Sequence, residues 1–553
     1  MDVLQIFREE ADRLIKEMGI DHRVDNAKEG FGDFTLPCFS LAKKYHKSPA
    51  EIAKELESKI EKTSYFERIE AVGPYLNFHI SKTKLAELSL NEILSGNIFN
   101  FEKKEKVILE HTSANPTGPL HVGRARNPII GDTMARILRE YGYDVEVQYF
   151  VNDAGLQVAT LIWGLKNLNY DDVKEAKCDH AYVKYYQEAS KLSEMREDVR
   201  NEIRAIMQAY ESGDPNLKKF IREKIGCVLE GILQSLRRLN IYVDTVVWES
   251  DLIPFSKKVA EELSQYVDED NGAYYIDMEK MGVKIQKNRF YLYRSDGTTL
   301  YFLRDIAYHL NKSKIARYLI DVLGEDHKLH FEALKAIVGL LNPNVTIRPL
   351  FYAFVSLPEG KMSTRRGRAI YLDDLLDEGY RRAMEILKDR DYPENEARKI
   401  AEKIAISSIR YSILNVQEEK PIVFRWDQAL SFEGESAPFI IYTFARANSI
   451  LKKASWNGSY FPELITHPQE YKLLKLMAMY PSVLTESAEK LSPYLLARYA
   501  YSLAMQFNQF YRDCPVIMAE DNLKESRLAI VNAFKILMER VIVLLGLEPL
   551  EKM

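Results

Sequence analysis

The apolar run Val107-Ile108-Leu109 is followed by a loop and then by a helical stripe of Ile129, Ile130, Met134, Ile137 and Leu138. Gly142 closes that stripe as a C′ glycine would. Val145, Val147 and Tyr149 then alternate with polar residues, the period of a strand. Strand, helix and strand in this order form a long crossover, which joins parallel strands and not a hairpin. A parallel sheet needs helices on both faces, and it binds ligands beyond the C-terminal ends of its strands. That one unit already restricts the chain to an α/β architecture.

The alternation continues downstream. Residues 274–276 and 290–293 read as strands. Asp296-Gly297 marks a hairpin turn before a further strand expected at 298–302. Residues 317–323 and 349–357 are two more apolar strands. Between them and the first unit, residues 167–238 are helical and highly charged, the pattern of a peripheral insertion. Upstream, Ser48-Pro49-Ala50-Glu51 is a helix start with a capping box, and residues 71–80 read as a turn and a short strand. A polar linker covers 96–106. After Tyr392-Pro393 strand signals fade and a helical pattern takes over. The expected organisation is an N-terminal α+β domain (1–96), a Rossmann-like parallel-sheet catalytic domain with a helical insertion (105–392), and a C-terminal all-α helical bundle (393–553).

A chain of 553 residues has room for about three cores. Its 46% apolar and 28% charged residues argue against disorder. The net charge of −5 restricts any nucleic-acid surface to a local patch. Cys38, Cys178, Cys227 and Cys514 are dispersed, with no C-x-x-C pair, so neither a zinc site nor a disulfide framework is expected. No stretch approaches ~20 consecutive apolar residues, and Met1-Asp2-Val3-Leu4 opens no leader-like run. A cytoplasmic chain without membrane contact is the expectation.

Residues 120–126, L-H-V-G-R-A-R, lie between the first strand and its helix. A helix start there offers free N–H groups to phosphates. Residues 360–367, G-K-M-S-T-R-R-G, bring Lys361, Arg365 and Arg366 together, with Arg368 just beyond. Such a cationic loop suits a polyphosphate leaving group. A four-residue match such as H-V-G-R could be any loop entering a helix. The string 110–132, E-H-T-S-A-N-P-T-G-P-L-H-V-G-R-A-R-N-P-I-I-G-D, is far more specific.

That string and the K-M-S-T-R-R-G loop resemble those of class I aminoacyl-tRNA synthetases, and of the arginyl-tRNA synthetases in particular. Further segments extend the resemblance over nearly the whole chain: V-N-D-A-G at 151–155, L-Y-F-L-R-D at 300–305, G-P-Y-L-N-F at 73–78, I-Y-T-F-A-R-A-N-S-I-L at 441–451 and L-A-R-Y at 496–499. The resemblance implies a two-step ATP-dependent ligation of L-arginine to the terminal ribose of tRNA(Arg), with tRNA required before arginine is activated. It implies catalytic roles for His121, Gly123, Arg124, Lys361 and Ser363. ATP would be held by Asn115, Pro116, Leu120, His121, Val122, Gly123, Arg124, Lys361, Met362 and Arg365. Arginine would be held by Glu110, Ser113, Asn115, Tyr301, Asp305 and His327, and tRNA by Tyr75, Asn77, Arg498 and Tyr501. Mg²⁺ would come with ATP, with no metal site on the protein, and the chain would act as a monomer.

The chemistry of these residues agrees. A guanidinium cannot be deprotonated and is matched by carboxylates. Asp305 follows Tyr301 by four residues, so on a helix both share one face. Taken alone, the pair would be a capping Asp beside a core Tyr. Among Asp326, His327 and His330, His327 is favoured as a pocket residue over a zinc ligand. Tyr499, Tyr501, Phe507, Phe510 and Tyr511 are helically spaced, mostly core, with one or two left to stack on bases. Arg124 stands where the family usually has a second His, Gly118 where it often has Lys, and Thr364 at the second Lys of its loop. Two other readings stay open: a catalytically impaired tRNA-binding paralogue, and another adenylate-forming nucleotidyltransferase.

Overall fold

A computed structural model describes residues 2–28, 30–170, 177–283, 285–286, 288–356, 370–388, 390 and 392–552. Near the N-terminus, β1 (Asp25–Asn26), β2 (Phe34–Pro37), β3 (Phe66–Val72) and β4 (Tyr75–Ile80) form an antiparallel sheet in the order β1-β2-β4-β3. Its long hairpin turns through Gly73, whose φ of 57° is left-handed. The helix Pro49–Lys59 starts as its sequence indicates: the Ser48 side chain accepts from the Glu51 N–H while Glu51 accepts from the Ser48 N–H at 2.9 Å.

The central region contributes β5 (Lys106–Glu110), β6 (Asp144–Val151), β7 (Thr245–Trp248), β8 (Val267–Asp270), β9 (Ala273–Asp277), β10 (Arg289–Tyr293), β11 (Tyr318–Gly324), β12 (Thr346–Tyr352) and β13 (Val355–Ser356). Five of them make a parallel sheet in the order β12-β11-β5-β6-β7. Val107, Ile108 and Leu109 of the central β5 are buried, as a strand covered on both faces must be. β8, β9 and β10 form a separate antiparallel sheet. The order reverses beside β5, so the crevice beyond its C-terminal end is where a ligand belongs.

Three expectations need correction. Residues 298–302 are not a strand: Thr299 makes one isolated bridge to Tyr293, and the helix Tyr301–Lys312 begins at once. The aromatic start reads as strand, but Phe302, Leu303, Ile306, Ala307 and Leu310 bury one helical face. Cys178 and Cys227 form a disulfide, with Cα atoms 5.7 Å apart, joining the insertion helices Cys178–Met195 and Pro215–Arg238. Antiparallel packing of those helices, invisible in the spacing, brings the thiols together.

The third correction concerns the junction near Pro393. The helix Glu394–Leu414 packs on Leu372–Leu387, and β14 (Ile422–Val423) pairs with β13. Arg126 is fully buried and donates to the carbonyls of Ala353 (2.9 Å), Lys420 (2.5 Å), Val416 (3.1 Å) and Gln417 (2.6 Å). Buried Arg410 reaches back to Asp132 at 2.6 Å. Residues beyond 393 therefore complete the α/β unit before the helical bundle begins. That bundle also meets the N-terminal sheet, where Asp33 accepts from Tyr471 at 2.9 Å and pairs with Lys475. Among the described residues, no helix is long and apolar enough to cross a membrane.

Candidate functional site

β5 ends at Glu110, and the chain then takes left-handed backbone at two non-glycine residues, Thr112 (φ 69°) and Ser113 (φ 37°). Such backbone persists only when its surroundings over-determine it. Here the Thr112 N–H donates to Asn127 (2.5 Å), the Ser113 hydroxyl donates to Glu110 (2.8 Å) and accepts from the Phe150 N–H (3.1 Å), and Asn152 donates to the Ser113 carbonyl (3.3 Å) and to the Asn115 side chain (3.1 Å). The loop is thus held over the sheet's C-terminal edge. Behind it, burial pushes His111 down to about 4, so its ring is neutral at ordinary pH.

A cavity of about 480 Å³ opens at this edge, lined among others by Glu110, Asn115, Tyr301, Asp305, His327 and His330. Asp305 lies one turn into the helix that Tyr301 starts, so both point into it. His330 Nε2 meets Asp305 Oδ2 at 2.7 Å, and the Tyr301 ring stacks on His330 at 5.1 Å with 19° between planes. A carboxylate with one free oxygen beside an aromatic plane is suited to a planar cation. Glu110 faces the same cavity, but its oxygens are engaged by Ser113 and by the Lys312 ammonium at 2.9 Å. Glu249 and Arg304 also line the wall, joined at 2.5 Å; burial raises the Glu249 carboxyl to about 7 against the pull of Arg304.

A second cavity of about 340 Å³ shares Asn115, Leu120 and Arg124 with the first and adds Gly118, His121, Tyr186 and Tyr371. His121 caps the short helix Val122–Arg124: its Nδ1 accepts from the Gly123 N–H at 3.1 Å, which places the proton of a neutral ring on Nε2. Leu120, Val122 and Gly123 are buried, which fixes the loop, whereas the Arg124 side chain is exposed between the two cavities. Pro116 lines the first cavity. A Cβ on Gly118 would lie 3.0 Å from Val183 of the insertion helix, so that helix closes directly on the loop. The segment pairs with the chain that follows the cationic loop: Val122 N–H to the Ile370 carbonyl (3.0 Å) and Leu372 N–H to the Leu120 carbonyl (2.8 Å). Lys361, Met362, Ser363 and Arg365 lie outside the described residues.

The remaining sequence candidates are scattered. Tyr75 is exposed, edge-on to exposed Phe39 at 5.6 Å. Asn77 is 1% exposed and accepts from the Thr35 hydroxyl at 2.6 Å, so its side chain belongs to the sheet interior and not to a tRNA surface. Arg498 pairs with Glu435 and lies 5.7 Å from the half-buried Tyr501 ring. Tyr499, Phe507 and Phe510 are core, while Tyr511 is exposed with Arg446 over its ring at 5.4 Å. His327, favoured in the sequence, sits at the cavity rim with its side chain 51% exposed, and His330 makes the contact with Asp305. Their spacing of three on one helix face was the available signal. Lys312, His309 and Asp321 went unnoticed. Among the described residues, two clusters have metal-like composition, Glu110/His309/Asp321 and Asp179/His180/Asp373. In each a lysine ammonium, Lys312 or Lys177, already sits among the carboxylates.

Three family descriptions match: "Arginyl tRNA synthetase N terminal domain" over residues 2–80, "tRNA synthetases class I (R), catalytic domain" over 88–426, and "DALR anticodon binding domain" over 440–553. The chain is 44% identical over 568 residues to an arginine–tRNA ligase of Methanocella arvoryzae, covering 99% of each. It is 40% identical over 550 residues to that of Methanocaldococcus jannaschii, covering 96% of this chain and 95% of the relative. Among solved structures, the Thermus thermophilus arginyl-tRNA synthetase superposes with a TM-score of 0.82 at 29% identity, over 99% of this chain and all of that one (100%).

Proposed function

The chain belongs to the arginyl-tRNA synthetases of class I, and from that membership we propose how its residues share the work of an arginine–tRNA ligase. Its substrates are arginine, ATP and tRNA(Arg). In our reading the 480 Å³ cavity seats arginine with its guanidinium at Asp305 and Tyr301, and Asn115 takes the α-amino and carboxylate end. The observation that carries this is the Asp305–His330–Tyr301 group, which leaves one carboxylate oxygen beside a stacked aromatic pair. Glu110 shapes the floor through Ser113.

The adenosine end lies toward Gly324, His327 and Tyr352, and the phosphates lie in the second cavity beside His121 and Arg124; Lys361, Met362, Ser363 and Arg365 keep the ATP-handling roles that the family resemblance gives them. The arginine carboxylate attacks the α-phosphorus, and the bond to pyrophosphate breaks. The terminal ribose hydroxyl of tRNA then attacks the arginyl carbonyl, and AMP leaves. No enzyme nucleophile is required; orientation and charge carry both steps. Mg²⁺ would arrive on ATP, neutralising phosphate charge; among the described residues, the two carboxylate–histidine clusters each already hold a lysine. Tyr75 with Phe39, and Arg498, Tyr501 and Tyr511 on the helical bundle, present the aromatic and cationic groups that unpaired bases stack on. We assign residues 1–96 to tRNA recognition and the C-terminal bundle to anticodon reading, in a monomer working in the cytoplasm. Aminoacylation of bulk tRNA with each of the twenty amino acids tests the substrate assignment. Arginine alone should be charged; charging of another amino acid, or of none, would overturn it.

A further inference from the structure

Three polar residues of the arginine cavity's wall, Glu110, His309 and Asp321, meet around the buried Lys312 to form a quartet. β11 and β5 are neighbours in register, with Asp321 in the middle of β11 opposite Glu110 at the end of β5, so two carboxylates stand side by side. Lys312, 1% exposed, donates to Glu110 Oε2 at 2.9 Å and to Asp321 Oδ1 at 2.7 Å. His309 places Nδ1 2.8 Å from the Asp305 carbonyl and Nε2 2.8 Å from Asp321 Oδ2. Both partners of the ring are acceptors, and the Lys312 ammonium stands between the two carboxylates. Burial alone would lower the Lys312 ammonium, but Asp321 and Glu110 more than offset this and raise it.

Lys312 ends the helix whose first turn carries Tyr301 and Asp305. It is therefore the one link in this quartet that joins the helix to both strands. From Glu110 the restraint passes to the Ser113 hydroxyl, and so to the left-handed backbone that delivers Asn115. We infer that Lys312 is a positioning residue for arginine recognition: it neutralises Glu110 and Asp321 together and locks the Glu110–Asn115 loop against the arginine-binding helix. It touches no substrate. This rests on the arginine cavity assigned above.

A buried cation removed from two carboxylates leaves them repelling each other, which a packing role alone would not involve. The test compares Lys312→Met, which keeps the volume, with Lys312→Gln, which keeps a hydrogen-bond donor, in the full-length enzyme with tRNA(Arg). Arginine KM should rise about tenfold or more for Met and less for Gln, with ATP KM within about twofold of wild type. Met equal to or better than Gln, or arginine and ATP KM rising together, would overturn the role. If the Met variant does not fold, the Gln variant decides alone; failure of both to fold would make Lys312 a folding residue and also overturn it. Asp305→Asn is run beside them. Should it leave arginine KM unchanged, the cavity assignment fails; should it act while both Lys312 variants are silent, only the Lys312 inference fails.

Discussion

Asp305→Asn isolates the proposed guanidinium contact. Its Oδ2 is taken by His330, which leaves Oδ1 for the substrate, so the contact is a single charge-assisted hydrogen bond and not a two-bond fork. The side chain is 27% exposed, which trims the effect further. Loss of one charge-assisted partner costs ~2–5 kcal/mol, and these two features place Asp305 at about 2–3. That is a loss of roughly 30- to 150-fold in kcat/KM for arginine. The asparagine carbonyl still accepts from His330, so the fold should hold and ATP KM should stay within about twofold. The assay is steady-state aminoacylation with ATP and tRNA saturating and arginine varied. A change in arginine kcat/KM below about threefold, in protein of wild-type melting temperature, would refute the reasoning.

Three other outcomes are expected. His111 is held down to about 4 from 6.5 by burial, so stability is complete above pH 6.5 and is lost as pH falls from 6.5 to about 4; by linkage the loss approaches ~3 kcal/mol, and His111→Asn should flatten that part of a stability-versus-pH curve. The Cys178–Cys227 bridge spans 49 residues, so by chain entropy its reduction costs ~4 kcal/mol, and a melting temperature unmoved by reductant would contradict it. A chain ending at residue 391 should be insoluble, because Arg126 keeps only the Ala353 carbonyl of its four acceptors at a cost of ~3–5 kcal/mol; a soluble monomeric fragment would disprove that account.

Elements with strong local period were legible in the chain: β5, β6, β11 and the capped helix at 49–59 all stand where their patterns put them. The lining of the two cavities was legible where one loop carries it, from Glu110 to Arg124. It was not legible where a residue's meaning depends on a distant partner. Lys312 at a helix C-terminus reads as a solvated cap, yet its acceptors are 9 and 202 residues away. Asn77 reads as a polar strand residue free to meet RNA, but Thr35 across the sheet claims it. The disulfide has the same cause, since its cysteines meet only when two insertion helices pack.

Arg126 clasps backbone carbonyls alone. An arginine that reads carbonyls responds to the path of the chain and not to its letters. Positions 353, 416, 417 and 420 can therefore change side chain freely at this contact, so long as the main chain returns to the same place. A saturation library should show near-total intolerance at 126 facing permissive positions 417 and 420, with Glu418 between them held by Ser492 and the Tyr494 N–H, and single-residue insertions or deletions there should be as damaging as loss of the arginine itself. Sequence drift at the positions that offer only a carbonyl is cheap, while a change of the segment's length is not.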